Sequence, residues 1–80
     1  MAKKSNTPAK AYMLMVVAVG KEHEIARKIK NIPGVVEADV VYGEFDVVAK
    51  IEGPLKQLDN ANLKARKLPD VLRTVTLIAH

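Results

Sequence analysis

The chain has 80 residues, near the smallest size at which one hydrophobic core outweighs chain entropy, so a single domain that gains from oligomerisation is expected. Hydrophobic residues make up 49% and charged residues 28%, ordinary for a soluble globular protein, and the lack of cysteine excludes disulfides, thiolate nucleophiles and cysteine-based metal sites and fits a reducing cytoplasm. The net charge of +4 is concentrated at the start, because without Lys3, Lys4 and Lys10 ten Lys and Arg face nine Asp and Glu, or +1 for residues 11–80.

Residues 1–10, MAKKSNTPAK, are polar enough to form a flexible basic tail, and residues 11–80 are expected to form the folded domain. AYMLMVVAV, from Ala11 to Val19, imitates the apolar stretch of a secretory signal, but Gly20 leads straight into the charged KEHE without a small-residue cleavage site. Its nine residues are also too few to span a bilayer, which takes about 20. A buried strand accounts for the same run.

Ile25, Ala26, Ile29 and Ile32 recur at helical spacing, so Lys21 to Asn31 is expected to be a helix, stopped by Pro33-Gly34. Val35 to Tyr42 and Phe45 to Glu52 are rich in β-formers on either side of Gly43 and predict a hairpin. A second helix starts at Pro54, placed at the first helical position, and ends before Pro69, with Leu55, Leu58, Ala61, Ala65 and Leu68 as its core face. Val71 to Ala79 predicts a final strand.

NIPGVVEADVV (Asn31 to Val41) and KLPDVLRTVTL (Lys67 to Leu77) align at an offset of 36 residues, each with a helix end, a proline stop and a valine-led strand. At the same offset, Ala11 to Val16 falls on Val47 to Glu52. Two βαβ halves predict an α+β, ferredoxin-like βαββαβ fold, with both helices on one face of a four-stranded antiparallel sheet. The first strand is apolar on both faces and the last nearly so, where an open face should alternate polar residues. A second copy packed sheet on sheet, a dimeric α/β-barrel arrangement, is the expected cover.

Catalytic and metal motifs are missing. His23 has no partner at metal-binding spacing, His80 is terminal, and the only serine, Ser5, lies in the tail, so no catalytic residue, metal or cofactor is assigned. The topology is shared with the RNA-recognition motif, but Glu44 and Asp46 stand where that motif needs small or aromatic residues. With a charge of +1, residues 11–80 offer phosphate little attraction, so direct binding of nucleic acid by the folded part is not expected.

The hairpin turn, VVYGEFDVV, breaks the valine run with two acids. If the third strand begins at Phe45, alternation puts Glu44 and Asp46 on one side and Phe45 on the other with Val47 and Ala49. Two readings of the turn stand side by side. In one, Gly43 and the acids are solvated turn chemistry. In the other, Gly43 lets a ligand approach the backbone while the acids meet an ammonium group or a backbone donor.

Gly43, Phe45 and Asp46, the proline-valine step at Pro69 and Val71, and Thr74 and Thr76 in the closing RTVTLIA form an ordered set over about 70 residues. In this order they resemble the effector-binding (RAM) domain of the Lrp/AsnC family. The resemblance implies face-to-face dimers that assemble into larger rings, commonly octamers, with small effectors, chiefly amino acids, bound at the seams. It makes Gly43, Glu44, Phe45 and Asp46 the pocket-lining turn, with Thr74 and Thr76 as pocket neighbours.

Relatives commonly carry an N-terminal helix-turn-helix domain, which ten tail residues cannot form. A stand-alone, non-enzymatic module is therefore expected, without sequence-specific DNA binding or membrane attachment. It would act in transcription regulation as a homo-oligomer or by co-assembly with a DNA-binding Lrp/AsnC paralogue. Two alternatives stay open: an ACT-like regulatory subunit of a metabolic enzyme, and a small dimeric α/β-barrel enzyme.

Overall fold

Alternation of apolar side chains builds the sheet in the computed structural model, which describes residues 9–79. The elements are β1 (Ala9–Val17), α1 (Glu22–Lys30), β2 (Val35–Val40), β3 (Val47–Gly53), α2 (Leu55–Arg66) and β4 (Val71–Ala79). They form one antiparallel sheet in the order β2-β3-β1-β4. Residues 1–8 of the expected tail, and His80, lie outside the described residues. β1 opens two residues before the expected boundary, because Lys10 finds ladder partners on both sides, Glu52 and Ala79.

Along β1, Ala11, Met13, Met15 and Val17 point into the core, joined from β3 by Val47, Ala49 and Ile51. Ile25 and Ile29, one helical turn apart, close the core from α1, and Leu58, Ala61 and Ala65 from α2. Fully burying each large aliphatic chain contributes roughly 1.5–3 kcal/mol, and the alanines of α2 let its backbone approach the sheet closely.

The join between β3 and α2 departs from expectation. Pro54 has φ −61° and ψ 154°, an extended conformation, so it is the N-cap of α2 and not its first helical residue. Its carbonyl accepts from Gln57 N–H (2.8 Å) and Leu58 N–H (3.2 Å), which starts the helix. Gln57 folds back over two glycines of positive φ, Gly34 and Gly53, and its Nε2 donates to the Glu52 carbonyl at 3.0 Å.

Among the described residues, no helix packs on the outer face of the sheet. Cross-strand register places Tyr12 between Lys50 and Leu77, Leu14 between Val48 and Val75, and Val16 beside Arg73. Directly opposed residues share a face, so these apolar chains form a band across the three strands. Charge rims the band: Lys50 Nζ lies 3.3 Å from Glu52, and this bond, reinforced by Glu52's charge, raises the lysine's pKa. β4 is less two-sided than expected, because its inner face carries Thr74 and Thr76 opposite Met15 and Met13.

Candidate functional site

The turn from Val41 to Asp46 is closed by its own backbone: Val41 N–H donates to the Asp46 carbonyl at 2.9 Å. Asp46 is then tied to β1 twice. Its N–H donates to the Met15 carbonyl at 2.8 Å, and its Oδ2 accepts the Val17 N–H at 2.9 Å. Asp46 therefore continues the β1–β3 ladder beyond its last register pair, Met15 with Val47.

This binding overturns the expected start of the third strand at Phe45: β3 begins at Val47, and strand alternation does not apply to residues 43–46. Phe45 does not join the core beside Val47 and Ala49. It is half-buried beneath Arg73, whose guanidinium carbon sits 6.0 Å from the ring centroid, within cation–π range.

Gly43 adopts φ +132°, a conformation L-residues rarely take, and a Cβ there would meet open space. Backbone conformation, not crowding, demands glycine at this position. Glu44 is exposed, as is Tyr42 at 98%. Among the described residues the N–H groups of Gly43, Glu44 and Phe45 have no backbone acceptor. The turn thus presents a free carboxylate and free backbone donors together, a pairing that complements a zwitterion.

The two threonines separate. Thr76 donates its hydroxyl to Asn62 Oδ1 at 3.1 Å, a bond between β4 and α2 that points away from the turn. Thr74 lines an open cavity of about 230 Å³ with Arg66, Val71, Leu72 and Arg73. It pairs with Met15, whose carbonyl also holds Asp46, so Thr74 and the turn flank the same end of β1. Two strand spacings, roughly 10 Å, separate them.

Sequence reasoning did not single out Arg73, although a lone cation in RTVTLIA was a readable signal. His23 is exposed on the first turn of α1, and among the described residues no three His, Cys, Asp or Glu stand close enough to hold a metal ion. Among the same residues no helix is long and apolar enough to cross a membrane.

Scans against protein-family models and against curated proteins return no match. Solved structures do match. FFRP-DM1 is 46% identical, with a TM-score of 0.81 over 90% of this chain and 99% of that one. AsnC of E. coli is 15% identical, with a TM-score of 0.79 over 98% of this chain and 54% of that one. The transcriptional regulator NMB0573 of Neisseria meningitidis, solved as a complex with L-Met, is 13% identical, with a TM-score of 0.77 over 100% of this chain and 55% of that one. The last two likenesses are of fold, and this chain spans about half the length of those regulators.

Proposed function

The chain belongs to the Lrp/AsnC family, and on that premise we propose that it is a module of transcription regulation that binds an amino acid or similar small effector. The observation that carries this reading is the 46% identity to FFRP-DM1 over nearly all of both chains. The L-Met complex of the Neisseria regulator, which shares the fold, supports an amino acid as the effector class.

In this reading the Gly43–Asp46 turn is the effector site. Exposed Glu44 receives the ammonium group, and the free N–H groups of Gly43, Glu44 and Phe45 receive the carboxylate. Asp46 serves the site mainly by fixing the turn to β1, because its Oδ2 already accepts from Val17. Thr74 stands at the border of the site and Thr76 outside it.

The module works by assembly, not by catalysis. The apolar outer band pairs two chains face to face, dimers join into larger rings with the turns at their seams, and a DNA-binding paralogue of the family co-assembles with them in the cytoplasm. Family membership favours this reading over an ACT-like subunit or a small α/β-barrel enzyme.

The test is a thermal-shift screen of the protein against the twenty amino acids, followed by calorimetry. An effector at about 100 times its dissociation constant adds about 2.7 kcal/mol to stability. A screen in which no amino acid raises the melting temperature and calorimetry detects no heat would overturn the proposal.

A further inference from the structure

Arg73 leaves β4 on the outer face opposite Val16, at the last regular pair before the β1–β4 register shifts, so it stands at the rim of the apolar band. Its guanidinium carbon lies 6.0 Å from the Phe45 ring centroid, which brings the charge across β1 to the Gly43–Asp46 turn. On the same face Lys50 and Glu52 neutralise each other at 3.3 Å, whereas Arg73 has no ion pair among the described residues. We infer that Arg73 is the specificity residue of the effector site: it receives a second carboxylate, which makes an acidic amino acid the preferred effector. The inference rests on the reading of the turn as that site.

The acids of the turn leave the guanidinium unmatched. Asp46 Oδ2 accepts the Val17 N–H, and Glu44 is exposed and makes no ion pair with Arg73. A zwitterion with an uncharged side chain would occupy Glu44 and the free N–H groups of the turn and leave Arg73 without a partner. A side-chain carboxylate completes the balance, with the ammonium group on Glu44, one carboxylate on the backbone donors and the other on Arg73.

The surroundings favour that pairing. Arginine offers a planar fork of N–H donors that matches two carboxylate oxygens, which a lysine cannot do. Contact with the Phe45 ring restricts the long side chain before a ligand arrives, so less freedom is lost on binding. Val16 and Phe45 are apolar neighbours, and a charge pair beside them is weakened less than one in open water.

Calorimetry on the whole protein, with L-glutamate and L-aspartate against L-glutamine and L-asparagine at matched ionic strength, tests the inference, because each amide keeps the shape of its acid and loses the charge. At least one acid is expected to bind about tenfold or more tightly than its amide. Arg73→Gln should abolish that preference by weakening the acid about tenfold and leaving the amide unchanged, and Arg73→Lys, which keeps the charge and loses the fork, should fall between. Lys56→Gln, which removes an exposed cation of α2, is the control for net charge and should keep the preference. Amides that bind the wild type as tightly as the acids would overturn the inference and leave the amino-acid site standing. An equal loss of acid and amide in Arg73→Gln would make Arg73 a support of the turn and not a reader of charge, which also overturns it, as would an equal loss of preference in Lys56→Gln. Glu44→Gln judges the underlying site separately, since it should weaken acid and amide alike, and a wild type that binds no amino acid at all removes that site and this inference with it.

Discussion

The Asp46 carboxylate accepts the backbone N–H of Val17 at 2.9 Å, joining residues 29 apart in sequence. The bond replaces a ladder bond that β3, which starts one residue later, cannot supply. Leaving this part-buried N–H without an acceptor costs roughly 1–3 kcal/mol, so Asp46→Ala is expected to lower stability by that amount in urea unfolding. Asp46→Asn keeps an acceptor oxygen and should lose less. If Asp46→Ala unfolds at the wild-type midpoint, the contact contributes nothing to the fold.

Gln57 lies over both Gly34 and Gly53, and a Cβ on Gly53 would stand 2.5 Å from its Nε2. Two costs are therefore combined in Gly53→Ala: the collision, and the strain of a side chain at φ +141°. Strain of that kind costs roughly 1–3 kcal/mol. Gln57→Ala removes the collision and leaves the strain. The double variant should then be more stable than the sum of the two single losses predicts, and a double-mutant cycle on unfolding free energies measures the difference. Strict additivity would mean that Gln57 moves aside freely.

How far the fold could be read depended on whether backbone or side chains decided each step. β4 was legible to the residue, because Pro69 bars the helix and a valine-led run follows it. The start of β3 was not, because the side chain of Asp46 makes a bond that backbone pattern cannot announce. For the same reason Thr76 looked available as a pocket residue: its partner Asn62 lies on α2, and only helix-to-sheet packing brings the two within 3.1 Å. Arg73 was visible as an isolated cation, but its place over Phe45 needs β1 between them, a relation of sheet order and not of sequence.

Glu24 stands between Lys28 (3.2 Å) and Lys21 (3.7 Å) on α1. The hydrogen bond from Lys28, with the charges of both lysines, holds its carboxyl below the ordinary value of 4.5. A carboxyl with a depressed folded pKa adds stability above its unfolded value, and that stability is lost as pH falls through the folded one. Wild type should therefore lose stability more steeply below about pH 4.5 than Glu24→Gln. All three groups are well exposed, so the difference should be small and vanish in high salt. Identical acid-unfolding curves at low salt would show that the pair contributes nothing.

Met15 and Val16 are adjacent and face opposite ways, which makes them a paired test of what covers the sheet. Met15 is 0% exposed in the core, whereas Val16 lies on the outer face beside Arg73. Removing a large buried side chain costs roughly 2–5 kcal/mol, and burying an unpaired charge in its place costs more. Against a total of roughly 5–15 kcal/mol for a small domain, Met15→Asp should leave no folded protein by circular dichroism. Val16→Asp places its charge where a single chain can solvate it, so helix and strand content should survive. If a second copy covers the outer band, Val16→Asp breaks that contact, and light scattering should report the mass of one chain. Leu63, 53% exposed on α2, lies off the sheet altogether, so Leu63→Glu should spare the dimer and at most reduce larger assemblies to it. A wild-type protein that is already a folded monomer at micromolar concentration would remove the dimer, and with it the reason for a sheet so apolar on its uncovered side.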